Sequence, residues 1–209
     1  MQIKKFVLGM FETNGYLIWG NKPGSCLIVD PADEGERMVD FLKESELVPE
    51  AILLTHGHYD HFLGIGDLQK EWPQLAIYCH PADCPKEKEE YDPMMRRSFP
   101  TISAFSNIRE VKEGTRLNLA GFDIRTLHTP GHTPGSVIFT MSDVMFSGDT
   151  LFKGSIGRTD FAGGDDRQMK QSLKRLAAIE EDYRVYPGHE GETTLKTEQK
   201  KNPYLKILY

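Results

Sequence analysis

The feature that most constrains this chain of 209 residues is a run of six positions, His56-Gly57-His58-Tyr59-Asp60-His61. It is an H-x-H-x-D-H pattern that gathers four metal-competent side chains. Imidazole and carboxylate are the groups that zinc, iron and manganese accept from protein. Without an ion such crowding is costly, because protonated imidazoles repel one another and clustered polar groups resist burial without partners. The flanks limit where a fold can place the run. Ala51-Ile52-Leu53-Leu54 is a short apolar stretch that reads as a buried strand ending at Thr55, and Leu63 to Trp72 has the apolar spacing of a docking helix stopped by Pro73. An exposed polar loop or an adventitious metal tract is the competing reading, and a position between two buried elements argues against it.

Other candidate strands are Ile3 to Gly9 and Tyr16 to Trp19, with Asn14-Gly15 as a turn signal between them, then Ser25 to Val29, ended by Asp30-Pro31. Leu75 to Cys79, Arg116 to Leu119 and Phe122 to Leu127 follow, the last two flanking an Ala120-Gly121 turn. Val137 to Met141, Val144 to Ser147 and Arg184 to Tyr186 complete the set. Helical spacing covers Glu34 to Ser45 and Asp166 to Ile179. The charged, Pro-punctuated stretch Asp83 to Ser106 contains Lys86-Glu87-Lys88-Glu89-Glu90, read as a solvated helix face or an exposed loop. Three more metal-competent residues stand just past candidate strand ends: His132 in Thr129-Pro130-Gly131-His132-Thr133-Pro134-Gly135, Asp149 after Met145-Phe146-Ser147-Gly148, and His189 after Tyr186-Pro187-Gly188. Glycine and proline beside each one fix sharp turns and allow close backbone approach.

Bulk properties narrow the function classes. A net charge of −6 speaks against a long basic groove for nucleic acid, and no apolar run is long enough to span a membrane. Three cysteines, Cys26, Cys79 and Cys84, form no C-x-x-C and read as free thiols. With no export signal in view, a cytoplasmic enzyme is expected. The length suits a sizeable core.

Taken together, His56 to His61, Gly131-His132-Thr133-Pro134-Gly135-Ser136, Ser147-Gly148-Asp149-Thr150 and Pro187-Gly188-His189 resemble the metallo-β-lactamase fold family in order and rough spacing. The resemblance implies an α+β fold, a four-layer αββα sandwich, as one domain over residues 1–209. Leu151 to Asp160, Glu192-Thr193-Thr194 and Asn202-Pro203-Tyr204-Leu205 look most like the glyoxalase II-like (hydroxyacylglutathione hydrolase-like) branch. The long proteins of that branch add a C-terminal helical domain and carry Lys where this chain has Arg158. With twenty residues after His189, the chain resembles a short form.

Carried over residue by residue, the resemblance implies that His56, His58 and His132 bind one ion, that Asp60, His61 and His189 bind another, and that Asp149 bridges them. The implied cofactor is two divalent metal ions, zinc first, with iron or manganese as alternatives. The implied activity is hydrolysis of a small-molecule thioester such as S-lactoylglutathione by a hydroxide bound to both ions, with Asp60 orienting it. Neither nucleic acid nor membrane is an expected partner. Arg158 is a candidate for binding a substrate carboxylate, with an ion pair to Asp160 as the equal alternative. Tyr59 lines a pocket or packs, and His80 and His128 are structural. A mononuclear iron persulfide dioxygenase of the same fold, which shares a Gly-Arg-Thr-Asp-Phe run like Gly157 to Phe161, and a lactone or β-lactam hydrolase are the rival activities.

Overall fold

The computed structural model describes residues 1–84 and 105–206; the charged run Lys86 to Glu90 lies outside them. Six strands form one sheet in chain order: β1 (Gln2–Leu8), β2 (Thr13–Trp19), β3 (Ser25–Val29), β4 (Val48–Leu53), β5 (Ala76–Cys79) and β6 (Ile108–Glu110). A second sheet holds β7 (Arg116–Leu119), β8 (Phe122–His128), β9 (Val137–Met141), β10 (Val144–Gly148), β11 (Arg184–Pro187) and β12 (Thr193–Thr194), again with sequence neighbours side by side. Strands β3, β9 and β10 are buried at all five positions. Such continuous apolar runs belong to sheets covered on both faces.

The described helices are α1 (Glu36–Glu44), α2 (Tyr59–Phe62), α3 (Ile65–Glu71), α4 (Asp166–Ala177), α5 (Leu195–Lys201) and α6 (Pro203–Lys206). Met38, Val39 and Leu42 of α1 and Ile65 and Leu68 of α3 pack on the outer face of the first sheet. Met169, Leu173 and Leu176 of α4, with Leu195 and Leu205, cover the second. Between the sheets lie Tyr16, Leu27, Leu53, Phe122, Phe139 and Phe146, each almost wholly buried. The layers therefore run helix, sheet, sheet, helix, as the sequence resemblance implies. Side chains at successive strand positions point alternately to the two faces, so fully buried strands such as β3, β9 and β10 feed two cores at once.

Two features position the site. The pairs β3–β4, β4–β5 and β10–β11 are parallel, so several strands deliver their carboxyl ends to one edge. At that edge Val137 N–H donates to Thr55 O at 2.8 Å and sews the sheets together.

The boundaries differ from the sequence reading in particular ways. Asn14-Gly15 is inside β2 and makes no turn. The chain reverses at Gly9–Glu12, where Gly9 and Glu12 take positive φ and Glu12 N–H donates to Gly9 O. A side chain at Gly15 would run into Met38 and Asp30, so that glycine serves packing. The helix expected over Leu63 to Trp72 is α3, starting at Ile65 and ending at Glu71, and Leu63-Gly64 separates it from the short α2 before it. Gly64 packs its backbone against Pro31, Ala32 and Gly35. Strands β6 and β12 and helices α5 and α6 carried no periodic signal strong enough to read.

Candidate metal centre

The edge where the two sheets meet collects all seven candidate ligands. His56 follows β4. His58 caps α2, whose first turn carries Asp60 and His61. His132 stands in the β8–β9 loop, Asp149 immediately after β10 and His189 after β11. Ligand nitrogens and oxygens of His56, His58 and His132 lie within 4.8 Å of one another, and so do those of Asp60, His61 and His189.

Asp149 spans the two groups. Its Oδ2 is 3.4 Å from His132 Nε2 and 3.5 Å from His189 Nε2, and its Oδ1 is 3.5 Å from His61 Nε2. Asp60 Oδ2 is 3.5 Å from His61 Nε2 and 3.4 Å from His189 Nε2. His58 Nδ1 lies 3.2 Å from His56 Nε2 and 2.9 Å from His132 Nε2. Nitrogen ligands about 2.0–2.1 Å from a tetrahedral ion sit about 3.3 Å apart, and the separations just given, 2.9 to 3.5 Å, bracket that value. His61 Nε2 and Asp149 Oδ1 are also buried with no hydrogen-bond partner. Orphaned buried polar atoms are rare in folded proteins, and these two face each other across the cluster. The donor set fits a pair of divalent ions.

Electrostatics divides the groups. Burial pushes His56 well below its ordinary range, and His61, His132 and His58 push it further. Burial, with His132 and His61, takes His58 down to about 4. These rings are neutral at pH 7 and carry lone pairs. In the other group burial also opposes charge on His61, but Asp149, Asp60 and Asp30 outweigh it and lift that ring to about 10. Burial likewise opposes charge on His189, and Asp60 and Asp149 raise it on balance. For Asp60, burial favours the neutral acid, yet His61, His189 and Thr13 hold it far below the usual carboxylate range. Three carboxylates therefore make this half of the cluster a place for positive charge.

Residues the sequence reading passed over hold the ligands in place. Asp30, at the end of β3, accepts from Thr55 N–H at 2.8 Å, from Thr55 Oγ1 at 2.6 Å and from His61 Nδ1 at 2.9 Å. His132 Nδ1 donates to Arg158 O at 2.7 Å. Thr13 Oγ1 donates to Asp60 Oδ2 at 2.8 Å. Asp83 accepts from Gly57 N, Gly135 N and Thr133 Oγ1, tying the His58 and His132 loops to each other. Asn14 Nδ2 donates to the carbonyls of Pro187 and Glu190, each at 3.0 Å, and Tyr16 OH donates to Pro187 O at 2.6 Å. Asp30 was findable: like the ligands, it is an acid just past a strand and beside a proline.

Other candidates fall as follows. The Arg158 guanidinium makes both hydrogen bonds to Asp160, at 2.6 and 2.7 Å, and lies 3.6 Å from the centre of the Phe161 ring. It also lines a cavity of about 490 Å³ that opens on the cluster, as does Tyr59. His80 and His128 stack face to face at 4.2 Å, outside both ligand groups. Ser147 is buried and donates to Leu151 O. The thiols of Cys26, Cys79 and Cys84 are free. No described helix is long and apolar enough to cross a membrane.

A family model of the metallo-beta-lactamase superfamily matches residues 8–189. The chain belongs to that superfamily. It is thus a metallo-hydrolase-family enzyme, built on the superfamily fold and carrying a His/Asp cluster suited to divalent metals. Among curated proteins it is similar to the hydroxyacylglutathione hydrolase GloC of Haemophilus influenzae, at 35% identity over 98% of both chains. Among solved structures it is similar to the BLEG-1 B3 metallo-beta-lactamase, with TM-score 0.86 and 32% identity over 98% of this chain and 99% of that one. It is also similar to TTHA1623 in a di-iron-bound form, with TM-score 0.81 and 36% identity over 97% of this chain and 100% of that one.

Proposed function

We propose that this protein is a single-domain, cytoplasmic hydrolase of acyl thioesters such as S-lactoylglutathione, working with two divalent metal ions, zinc first among them. The observation that carries the reading is the pair of three-residue groups joined by Asp149, with five of these seven residues lining a 490 Å³ cavity. His56, His58 and His132 would hold one ion and Asp60, His61 and His189 the other, with Asp149 placed to serve both. When bound, the ions supply Lewis acidity that lowers the pKa of a shared water and polarises a carbonyl.

The chain's own groups complete the chemistry. Asp60, fixed by Thr13, orients the attacking water toward the acyl carbon. Asp30 and the Arg158 carbonyl take the outer ring protons of His61 and His132, so that the inner nitrogens face the cluster. A thiol has a pKa of about 8.5, so it departs as thiolate without a protein acid. Arg158 is the candidate to meet a substrate carboxylate, which requires the anion to take the place of Asp160. The name of the Haemophilus relative supports the thioester assignment, and the di-iron-bound form of TTHA1623 supports a pair of metals.

The test is release of free thiol from S-lactoylglutathione by metal-replete protein, abolished by a chelator and restored by added metal. Absence of turnover with that and every other acyl thioester ends the reading. Consumption of oxygen with a persulfide, at one iron per chain, would replace it with an iron oxygenase. Hydrolysis of β-lactams or lactones in place of thioesters would replace it with the third activity.

A further inference from the structure

Three phenylalanines stand round the cluster. Phe161 lies edge-on to His58, with ring centres 6.2 Å apart. Phe152 lies edge-on to His189 at 6.1 Å. Phe11 lies edge-on to Tyr59, the residue before Asp60, at 5.8 Å. All three line the same cavity, together with Ile156. They come from separate parts of the chain: Phe11 from the β1–β2 turn, and Phe152 and Phe161 from the long segment after β10.

Two of them are exposed at the mouth, Phe11 by 45% and Phe161 by 51%. Exposed apolar side chains occur singly on any surface, but a rim of them round a functional cleft marks a binding face. Nor are they loose. The Arg158 guanidinium is clamped on its edge by Asp160 and covers one face of Phe161. Tyr59 braces Phe11. These contacts restrict Phe161 and Phe11 before any ligand arrives, which lowers the ordering cost of binding. The same ion pair satisfies the charge of Arg158.

Resting on the thioester reading, we propose that Phe11, Phe152 and Phe161 select an apolar acyl arm. The preferred substrates are thioesters of aliphatic or aryl acids of several carbons, ahead of short hydroxyacyl ones. The carbonyl sits at the Asp149 end of the cavity, and the acyl chain runs outward between Phe161 and Phe11.

The experiment compares N-acetylcysteamine thioesters of acetate, butyrate, hexanoate and phenylacetate, with S-D-lactoyl-N-acetylcysteamine alongside, on metal-replete protein. Burial of a methylene predicts that kcat/KM rises about threefold per added CH₂ from acetyl to hexanoyl. Phe161→Ser and Phe11→Ser should each cut the hexanoyl-to-acetyl ratio by about tenfold, with metal content by mass spectrometry equal to that of the parent. A ratio near one in the parent, a ratio unchanged in both variants, or a preference for lactoyl over hexanoyl overturns the proposal. Calorimetric binding of the free acids reads the cavity apart from turnover. Hexanoate should bind at least tenfold tighter than acetate, and equal affinities overturn the proposal. If no thioester is turned over but hexanoate keeps its advantage, the thioester reading falls, while the apolar arm stands for whatever acyl compound the enzyme cleaves.

Discussion

Asp30 does for His61 what the Arg158 carbonyl does for His132. Each accepts the proton on the far ring nitrogen and leaves the near nitrogen to the cluster. Partners of this kind are typically worth 10–100-fold in metal affinity. Asp30→Asn should therefore weaken metal binding at the Asp60–His61–His189 group by about that factor, measured by competition with a chromophoric chelator, and an unchanged affinity would remove Asp30 from the site. Asp149→Ala should go further and take both metal and thioester turnover with it; retention of two equivalents of metal would refute the bridging role. Gly188 is constrained in another way. A methyl group there would press on Asp149 Oδ1 and the His61 ring, so Gly188→Ala displaces two ligands at once although it changes no ligand itself.

Among the elements, β2 matters most beyond its hydrogen bonds. It places Thr13 on Asp60 and sends Asn14 and Tyr16 to the loop that carries His189. Asn14→Ala should release that loop, and elemental analysis should then find about one metal per chain instead of two; two equivalents at parental affinity would show that the loop stands without it. This strand also marks where the sequence could be read and where it could not. Continuous apolar runs such as Ser25 to Val29 declare themselves, because burial on both faces leaves little choice of residue. Asn14-Gly15 imitates a turn because both residues are there for tertiary reasons, the amide for a carbonyl pair 173 and 176 residues away and the glycine for Met38. The convergence of the seven candidate ligands was legible because metal chemistry demands particular side chains at strand ends. Asp83, Asn14 and the phenylalanine rim were not, because hydrogen bonding to a distant loop and lining a cleft leave no local pattern. Strand β12, two residues long, and the short α6 are fixed by docking alone.

At the scale of the molecule, the two sheets are joined at opposite places by different means. Away from the metals, Glu50 on β4 accepts from Ser25 Oγ at 2.7 Å and from Ala120 N–H, in the β7–β8 turn, at 2.6 Å, and pairs with Lys22. The Lys22 hydrogen bond first, then Ser25 and Ala120, hold this carboxyl down at about 2. A depressed carboxyl stabilises the fold above its unfolded pKa, about 4.3, and loses that contribution as pH falls to the folded value. Glu50→Gln should therefore cost on the order of 1 kcal/mol at pH 7, and the difference from the parent in urea denaturation should shrink between pH 4.3 and about 2. A difference independent of pH would show that the charge is irrelevant. At the edge that carries the cluster, four of the seven candidate ligands belong to the first sheet's half of the chain and three to the second's. Each candidate group draws on both halves: His132 joins His56 and His58, and His189 joins Asp60 and His61. On the proposed assignment, the two ions would be rivets as well as reagents. Stripping them from intact protein should lower the melting temperature, as loss of any native-state ligand does, and the sandwich should start to gape along the seam where catalysis takes place.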